Sequence, residues 1–333
     1  MAEFAQYCLI GALIFLVVAL LMNLVVAASQ GRAAPRRAGA ARTQAATAAS
    51  RPAVSASAAT SSASTTTATL ERTALDDDLD DLDDEPARPP SPAASTPAPL
   101  SVGSLATGFT IVSLLLLTAY LVARGVQAGY LPLTNMHGYA AGFVWIILLA
   151  SLIAFRVYRV RLISVVSLIV AGLLLVFAIT EEFSADPLVP ALQNSVLLTL
   201  HVGFAILASG AACVSFAGAV LYLLQPSLRR LRTPRATFDE IGYKAAVVTF
   251  PLWTIMVLLG ALWANTAWGA YWSWDPKETA ALVTWLVYAA YLHARVVGGW
   301  RGVRASWLLV AAFVAVLFTL FGNYFFGGLH SYA

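Results

Sequence analysis

Long apolar segments, separated by short polar connections, make up most of this 333-residue chain. Apolar stretches of about 20 residues are long enough to cross the ~30 Å hydrocarbon core of a bilayer as helices. Eight segments of this kind lie at about residues 4–27, 104–124, 138–155, 162–180, 194–224, 244–264, 279–298 and 304–321. The pattern predicts an all-α fold, a polytopic membrane bundle of about eight transmembrane helices.

Residues 28–103 break this pattern. They are rich in Ala, Ser, Thr and Pro, include an acidic run at 76–85, and contain almost no large apolar residues. Such a stretch cannot bury a core, so we expect a disordered cytoplasmic linker, with an interaction tail as the alternative. The chain then divides into an N-terminal transmembrane helix at 1–27, the linker, and a helical transmembrane domain at 104–333. The first helix lacks the basic start of a signal peptide, so we expect it to be retained.

The basic residues predict how the helices are oriented, because cytoplasmic connections of membrane proteins are enriched in Lys and Arg. Arginines follow the first helix and recur in three later connections, at 156–161, 229–235 and 295–304. The three connections between them contain one basic residue, Lys277, and lie at 125–137, 181–193 and 265–278. Every connection agrees with one orientation, in which both termini and the loop at 265–279 lie on the outer face.

The loop at 265–279, called the aromatic loop below, carries an unusual density of flat side chains. Residues 268 to 278 read Trp-Gly-Ala-Tyr-Trp-Ser-Trp-Asp-Pro-Lys-Glu, which places four aromatic residues within seven positions. So much ring surface requires a planar apolar ligand, the lipid interface or a packed core. A belt of Trp and Tyr at the membrane interface is the alternative to a ligand platform. Asp275, Pro276 and Glu278 also have the spacing of a capped helix start, which would point a positive helix end at the loop.

The four histidines are the candidate metal ligands. His201 lies about 10 Å below the outer end of its span, and His330 follows the last span on the same face. Two imidazoles that flank an aromatic platform are a suitable ligand set for haem, although each is alternatively an ordinary satisfied polar residue. His293 lies roughly 21 Å from the outer end of its span. It is either an inner haem ligand or a helix-end residue, and His137 is expected at the membrane interface.

Composition narrows the class of protein. The mean hydropathy is +0.77 and only 11% of the residues are charged, which is typical of polytopic membrane proteins. The arginines lie at helix ends, so a nucleic-acid site is not expected. Cys8 and Cys213 both lie inside apolar segments, and the chain contains no CxxC or CxxCH motif. The chain is therefore not itself a c-type cytochrome, and no residue is a candidate nucleophile.

These motifs carry a family resemblance that covers about residues 104–333. The segment 268–278 resembles the tryptophan-rich WWD signature of haem-handling membrane proteins. Among these it is most similar to the CcsA (ResC) family, the integral-membrane subunit of system II cytochrome c synthases. The sequences around His201, at 132–136 and at 328–332 are similar to the same family. The chain departs from the family at Ala280, where another Trp is frequent, and at His137-Gly138, where Tyr-Glu is common.

The resemblance implies a haem site and a set of partners. His201 and His330 would be the external axial ligands of haem b iron, and His293 the transmembrane histidine that receives haem on the inner side. The haem platform would consist of Trp268, Tyr271, Trp272, Trp274, Asp275 and Lys277. The implied partners are a CcsB (ResB)-type membrane protein, the CxxCH segment of apocytochrome c and a thiol-reducing protein.

The implied function is cytochrome c biogenesis in a bacterial plasma membrane. The chain would move haem to the outer face and present it for thioether attachment, as a subunit of a cytochrome c synthase. Two alternatives remain open, a haem exporter or chaperone without attachment activity and a b-type electron-transfer subunit. A scaffold that only anchors a soluble partner is a third, but it leaves the aromatic loop unexplained. His201 and His293 lie at depths too different for them to share one haem.

Overall fold

The computed structural model describes residues 1–32, 101–181, 188–193, 196–226 and 233–330. Within these ranges the chain forms eight α-helices and one short 3-10 helix, with no β-strand. The α-helices are α1 (Ala2–Arg32), α2 (Val102–Ala128), α3 (Met136–Tyr158), α4 (Arg161–Thr180), α5 (Val196–Leu224), α6 (Arg235–Trp268), α7 (Pro276–Val296) and α8 (Val303–Phe325). The 3-10 helix, Pro190–Leu192, precedes α5. Nearly all of the predicted linker at 28–103, including its acidic run, lies outside the described residues.

The helices confirm the predicted polytopic bundle. All of them except α7 are long and apolar enough to cross a membrane. The helix α7 is less apolar because Lys277 and Glu278 lie in its first turn and His293 and Arg295 in its last turn. Its middle is apolar, and one face is buried through residues that include Ala281. The predicted eighth segment is therefore present as a helix whose charged residues lie at its two ends.

Hydrogen bonds and an ion pair join neighbouring helices at the ends that carry arginines. Arg161, at the start of α4, donates hydrogen bonds to Asn23 of α1 (3.3 Å) and Thr107 of α2 (3.4 Å). Arg295, at the end of α7, forms a largely buried ion pair with Asp239 of α6, with a shortest N–O distance of 2.6 Å. Both contacts join segments that the sequence assigns to the cytoplasmic side. The arginine-bearing helix ends thus lie together, which agrees with the predicted alternation of inner and outer connections. Which end faces the cytoplasm stays a prediction of the positive-inside rule.

The helix α5 lies at the centre of the bundle. In its most apolar stretch 67% of the residues are buried, against 56% or less in the other spanning helices. It packs against α3, α6 and α8. Two of the largest fully buried side chains, Trp253 and Trp263, come from α6. The ring of His201 contacts one of these helices, α6.

Candidate functional site

A mostly apolar cavity lies between α3, α5, α6, α7 and α8, beside the aromatic loop. Residues from separate parts of the sequence converge on it, and those with polar or aromatic side chains include His201, Trp263, Tyr271, Trp272, Lys277 and His330. The sequence predicted that His201, His330 and the aromatic loop lie on one face. The structure brings these residues together around one space.

His201 is held by the backbone of α6. Its Nδ1 lies 2.7 Å from the carbonyl oxygen of Met256. A carbonyl only accepts hydrogen bonds, so Nδ1 carries the proton and the lone pair lies on Nε2. One turn further along α6, a Cβ atom on Gly260 would lie 2.6 Å from Cε1 of His201. Only glycine leaves room for the ring at this position, and α6 thereby fixes both the orientation and the tautomer of the imidazole.

His330 lies on the short tail after α8 and contacts the start of α7. Its Nδ1 lies 2.9 Å from Oδ1 of Asp275, whose side chain is only 1% exposed. Burial favours the neutral acid, but hydrogen bonds from His330 and from the backbone N–H groups of Lys277 and Leu329 outweigh it. They lower the pKa of the Asp275 carboxyl group to about 2. The carboxylate is thus ionised at neutral pH and only accepts, so Nδ1 of His330 carries a proton and Nε2 is the ring nitrogen outside this contact.

A close approach of the tail to α7 accompanies this contact. A Cβ atom on Gly328 would overlap the carboxylate of Asp275 and lie 2.9 Å from Cδ of Pro276. The glycine therefore lets the tail backbone lie directly on the first turn of α7. The last predicted residues of this motif, 331 and 332, lie outside the described residues.

Trp263 connects the two histidines, and the sequence reasoning missed it. Its ring stacks on His201 at a centroid distance of 6.4 Å and an interplanar angle of 16°, and lies 5.9 Å from the ring of His330. Trp268 contacts Trp263 edge-on at 4.8 Å and His330 at 5.1 Å. The sequence pattern assigns Trp263 to an apolar span. Its position three residues after Gly260 could have indicated a site residue, because a small residue and a large ring then lie on one helix face.

The aromatic loop presents its rings in two directions. Trp268 contacts His330 and Trp272 lines the cavity, but Trp274 is 70% exposed and does not line it. Trp274 has a φ of 58°, in the left-handed region that is unfavourable for a large side chain. The carboxylate of Glu278 holds this turn, because it accepts from the backbone N–H of Ser273 at 2.7 Å and from that of Asp275 at 3.3 Å. The predicted platform is therefore split between an inner and an outer part.

The predicted capped start of α7 is present. Asp275 accepts from the backbone N–H of Lys277 at 2.9 Å, and with Glu278 it forms a capping box. Nζ of Lys277 lies 4.6 Å above the ring of Tyr139 in α3 and lines the cavity. A cation and the positive end of a helix dipole thus meet at one wall, which is suited to a carboxylate group of a ligand.

His293 is not part of this cavity. It lies in the last turn of α7 and is exposed, about 24 Å along the helix from Lys277. Within the described ranges, no group of three or more His, Cys, Asp or Glu side chains is arranged to hold a metal ion. The cavity offers Nε2 of two imidazoles among aromatic rings, which is a suitable ligand set for a haem.

His137, which the sequence predicts at the membrane interface, is buried at the start of α3. His137 is 4% exposed, and its Nε2 is hydrogen-bonded to the hydroxyl of Tyr120 in α2. The helix α3 begins at Met136 and buries its first turn in the bundle, so the residue lies among neighbouring helices instead of facing the lipid headgroups.

Comparison with known proteins places this arrangement in a family. Residues 133–330 match the sequence model of the family described as Cytochrome C assembly protein. The chain is 35% identical over 256 residues to cytochrome c biogenesis protein CcsA of Guillardia theta, with 68% of this chain and 84% of the relative covered. It is 35% identical over 298 residues to CcsA of Microcystis aeruginosa (72% and 90% covered) and 33% identical over 291 residues to CcsA of Gloeobacter violaceus (68% and 86% covered). The chain belongs to the CcsA family of cytochrome c biogenesis proteins.

Proposed function

We propose that this chain binds haem b in the cavity beside the aromatic loop and presents it for covalent attachment to the CxxCH segment of apocytochrome c. One observation carries the proposal: His201 and His330 meet on the same Trp263, each with Nδ1 bonded to an acceptor. Membership of a cytochrome c biogenesis family supports the same role.

Different side chains would contact different parts of the haem. Nε2 of His201 and Nε2 of His330 would supply the axial ligands, because Nδ1 of each ring is bonded to an acceptor. Trp263, Trp268 and Trp272 supply apolar contacts for the macrocycle. Lys277 and the N-terminus of α7 face the propionates, which are the only charged groups on the periphery of the ring.

The bond-making groups belong to haem and to the apocytochrome. Each cysteine thiol adds across one haem vinyl group, so that a C–S bond forms, the vinyl double bond becomes single and the thiol hydrogen moves to the neighbouring carbon. The chain contributes orientation and a water-poor cavity, which are large effects for a reaction between two bound partners. No nucleophile from the chain is required.

Haem also needs a route to the cavity, and the cavity needs a defined side of the membrane. Haem would arrive at His293, which is exposed on α7 and would share the iron with a ligand from a CcsB (ResB)-type membrane partner. The cavity would face outward in a bacterial plasma membrane, since the arginine-bearing helix ends group away from it. A thiol-reducing protein would keep the CxxCH cysteines able to react.

Co-expression with a CcsB-type partner and a reporter apocytochrome tests this function. Covalent haem on the reporter, measured by haem staining of a denaturing gel, is expected only when both membrane proteins are present. Replacement of the two CxxCH cysteines by serine should abolish the stain and leave haem in the purified complex. If haem reaches the outer face and no thioether bond forms, the chain is an exporter or chaperone and not a synthase subunit.

A further inference from the structure

We infer that His330 is the axial ligand that the histidine of the CxxCH segment replaces, and that Asp275 is the positioning residue that holds His330 on the iron until then. This inference rests on the proposed function. It assigns different roles to two ligands that the sequence treats alike.

The first ground is how each histidine is anchored. His201 lies inside the 29-residue helix α5, with its ring packed against the backbone of α6 at Gly260. It cannot leave the cavity unless α5 and α6 separate. His330 lies five residues beyond the end of α8, on a tail whose side chains are largely in contact with solvent or lipid. Phe326 is 52% exposed and Leu329 is 45% exposed, so the tail can swing outward without disturbing a helix.

The second ground is the direction of approach. The ring of His201 is walled by α5 and α6, and its neighbours Met256 and Gly260 belong to the bundle interior. His330 contacts Trp268 and Asp275 of the aromatic loop, in which Tyr271 and Trp274 are 57% and 70% exposed. A peptide histidine that comes from the loop side reaches the iron from the side of His330. The incoming residue thus competes with the ligand on the tail.

The third ground is the contact that retains the tail. Oδ1 of Asp275 accepts from Nδ1 of His330 at 2.9 Å, and the carboxylate is fixed because it also caps α7. A histidine whose second nitrogen donates to a carboxylate is a stronger and better oriented metal ligand, and loss of such a partner typically costs ~10–100-fold in metal affinity. Asp275 does not touch the iron. It acts through His330, while the partner of His201 at Nδ1 is a neutral backbone carbonyl.

The exchange itself is a simple substitution. The bond between iron and Nε2 of His330 breaks, the bond between iron and the imidazole nitrogen of the substrate forms, and no electron is transferred. His201 remains bound throughout. The haem then stays in the cavity while the two thiols of the same peptide reach the vinyl groups.

Carbon monoxide binding to the reduced complex tests the inference, because carbon monoxide displaces one axial ligand of a six-coordinate ferrous haem. The full chain is purified with its membrane partner, loaded with haem and reduced with dithionite. In Asp275→Asn the rate of carbon monoxide binding should rise ~10–100-fold. Asparagine is as good an N-cap as aspartate, so α7 and the aromatic loop remain folded.

Glu278→Gln is the matched control. It neutralises the other carboxylate of the same capping box, which contacts backbone N–H groups of the loop and not His330. Its carbon monoxide rate should change several-fold less than that of Asp275→Asn. Equal rates in the two variants would overturn the role of Asp275.

A second variant identifies the leaving ligand. Gly260→Ala pushes against the ring of His201 and leaves the Asp275–His330 contact intact. If this variant, and not Asp275→Asn, accelerates carbon monoxide binding, His201 is the ligand that leaves and the inference is wrong. A wild-type complex without a six-coordinate haem spectrum would instead refute the proposed function, so the two failures are distinguishable.

Discussion

The two histidines of the cavity have supports of different kinds. His201 lies in the most buried of the spanning helices, and a backbone carbonyl of the neighbouring helix fixes its ring. His330 lies on a short tail, and a buried carboxylate at the start of α7 fixes its ring. Each support requires a glycine that lets ring or backbone approach closely, Gly260 for His201 and Gly328 for His330. In the proposed site, one wall is fixed and the other can open, which would let the product leave.

Replacement of the histidines one at a time gives the largest expected difference between the two walls. In the proposed mechanism His201→Gly removes the ligand that stays on the iron, so covalent haem on a reporter cytochrome should fall to background. His330→Gly would remove the ligand that leaves during the reaction, so part of the attachment activity should survive and added imidazole should raise it. Haem staining of the reporter measures both. Equal losses in the two variants, with equal rescue, would contradict the difference between the walls.

Gly260→Ala tests the fixed wall without removing a ligand. The new methyl group would lie 2.6 Å from the ring of His201, so the ring must move and bound haem should fall ~10–100-fold. Gly203→Ala in α5 is the matched control, because a Cβ atom at this position meets nothing within 4 Å. Alanine stabilises a helix by up to ~1 kcal/mol relative to glycine, so neither variant should lose helix content. Haem content per protein in the purified complex decides the prediction, and a similar content in both variants would refute it.

Gly328→Ala tests the wall that can open. The added methyl group overlaps the Asp275 carboxylate, and the tail must shift away from α7. Because the tail is short and exposed it can adjust, so the loss of bound haem should be smaller than in Gly260→Ala, about several-fold. Gly327→Ala is the control, since a Cβ atom there has open space around it. A loss in Gly327→Ala as large as in Gly328→Ala would show that the tail responds to any added bulk.

Trp274→Ala should have the smallest effect on bound haem. Its side chain is 70% exposed and does not line the cavity, so the absorption spectrum of the complex should be unchanged. Trp272→Ala, which removes a lining ring from the same loop, should lower the haem content. The pair of spectra separates the inner part of the aromatic loop from the outer part. A larger loss in Trp274→Ala than in Trp272→Ala would reverse that assignment.

The helices and the grouping of the cavity residues could be predicted because they depend on patterns that act locally. Apolar segments of spanning length predict the helical bundle, and the spacing of Asp275, Pro276 and Glu278 predicts the capped start of α7. The alternation of arginine-rich connections placed His201 and His330 at the same end as the aromatic loop. Each of these inferences depends only on neighbouring residues or on whether an odd or an even number of helices separates two segments.

The details of the site depend on contacts between distant segments, and the sequence could not supply them. Trp263 becomes a site residue only because α5 packs against α6 and the tail returns over it. The pairing of Asp275 with His330 arises because the chain after α8 folds back onto α7. The burial of His137 likewise depends on how α2 and α3 pack.

The absorption spectrum of the reduced, purified membrane complex tests the central claim most directly. Wild type is compared with the double variant His201→Gly plus His330→Gly, at equal amounts of protein. A bis-histidine haem spectrum that is present in wild type and absent from the double variant is the expected result. An unchanged spectrum in the double variant would place the haem on His293 or on the partner protein, and would contradict the site described for this cavity.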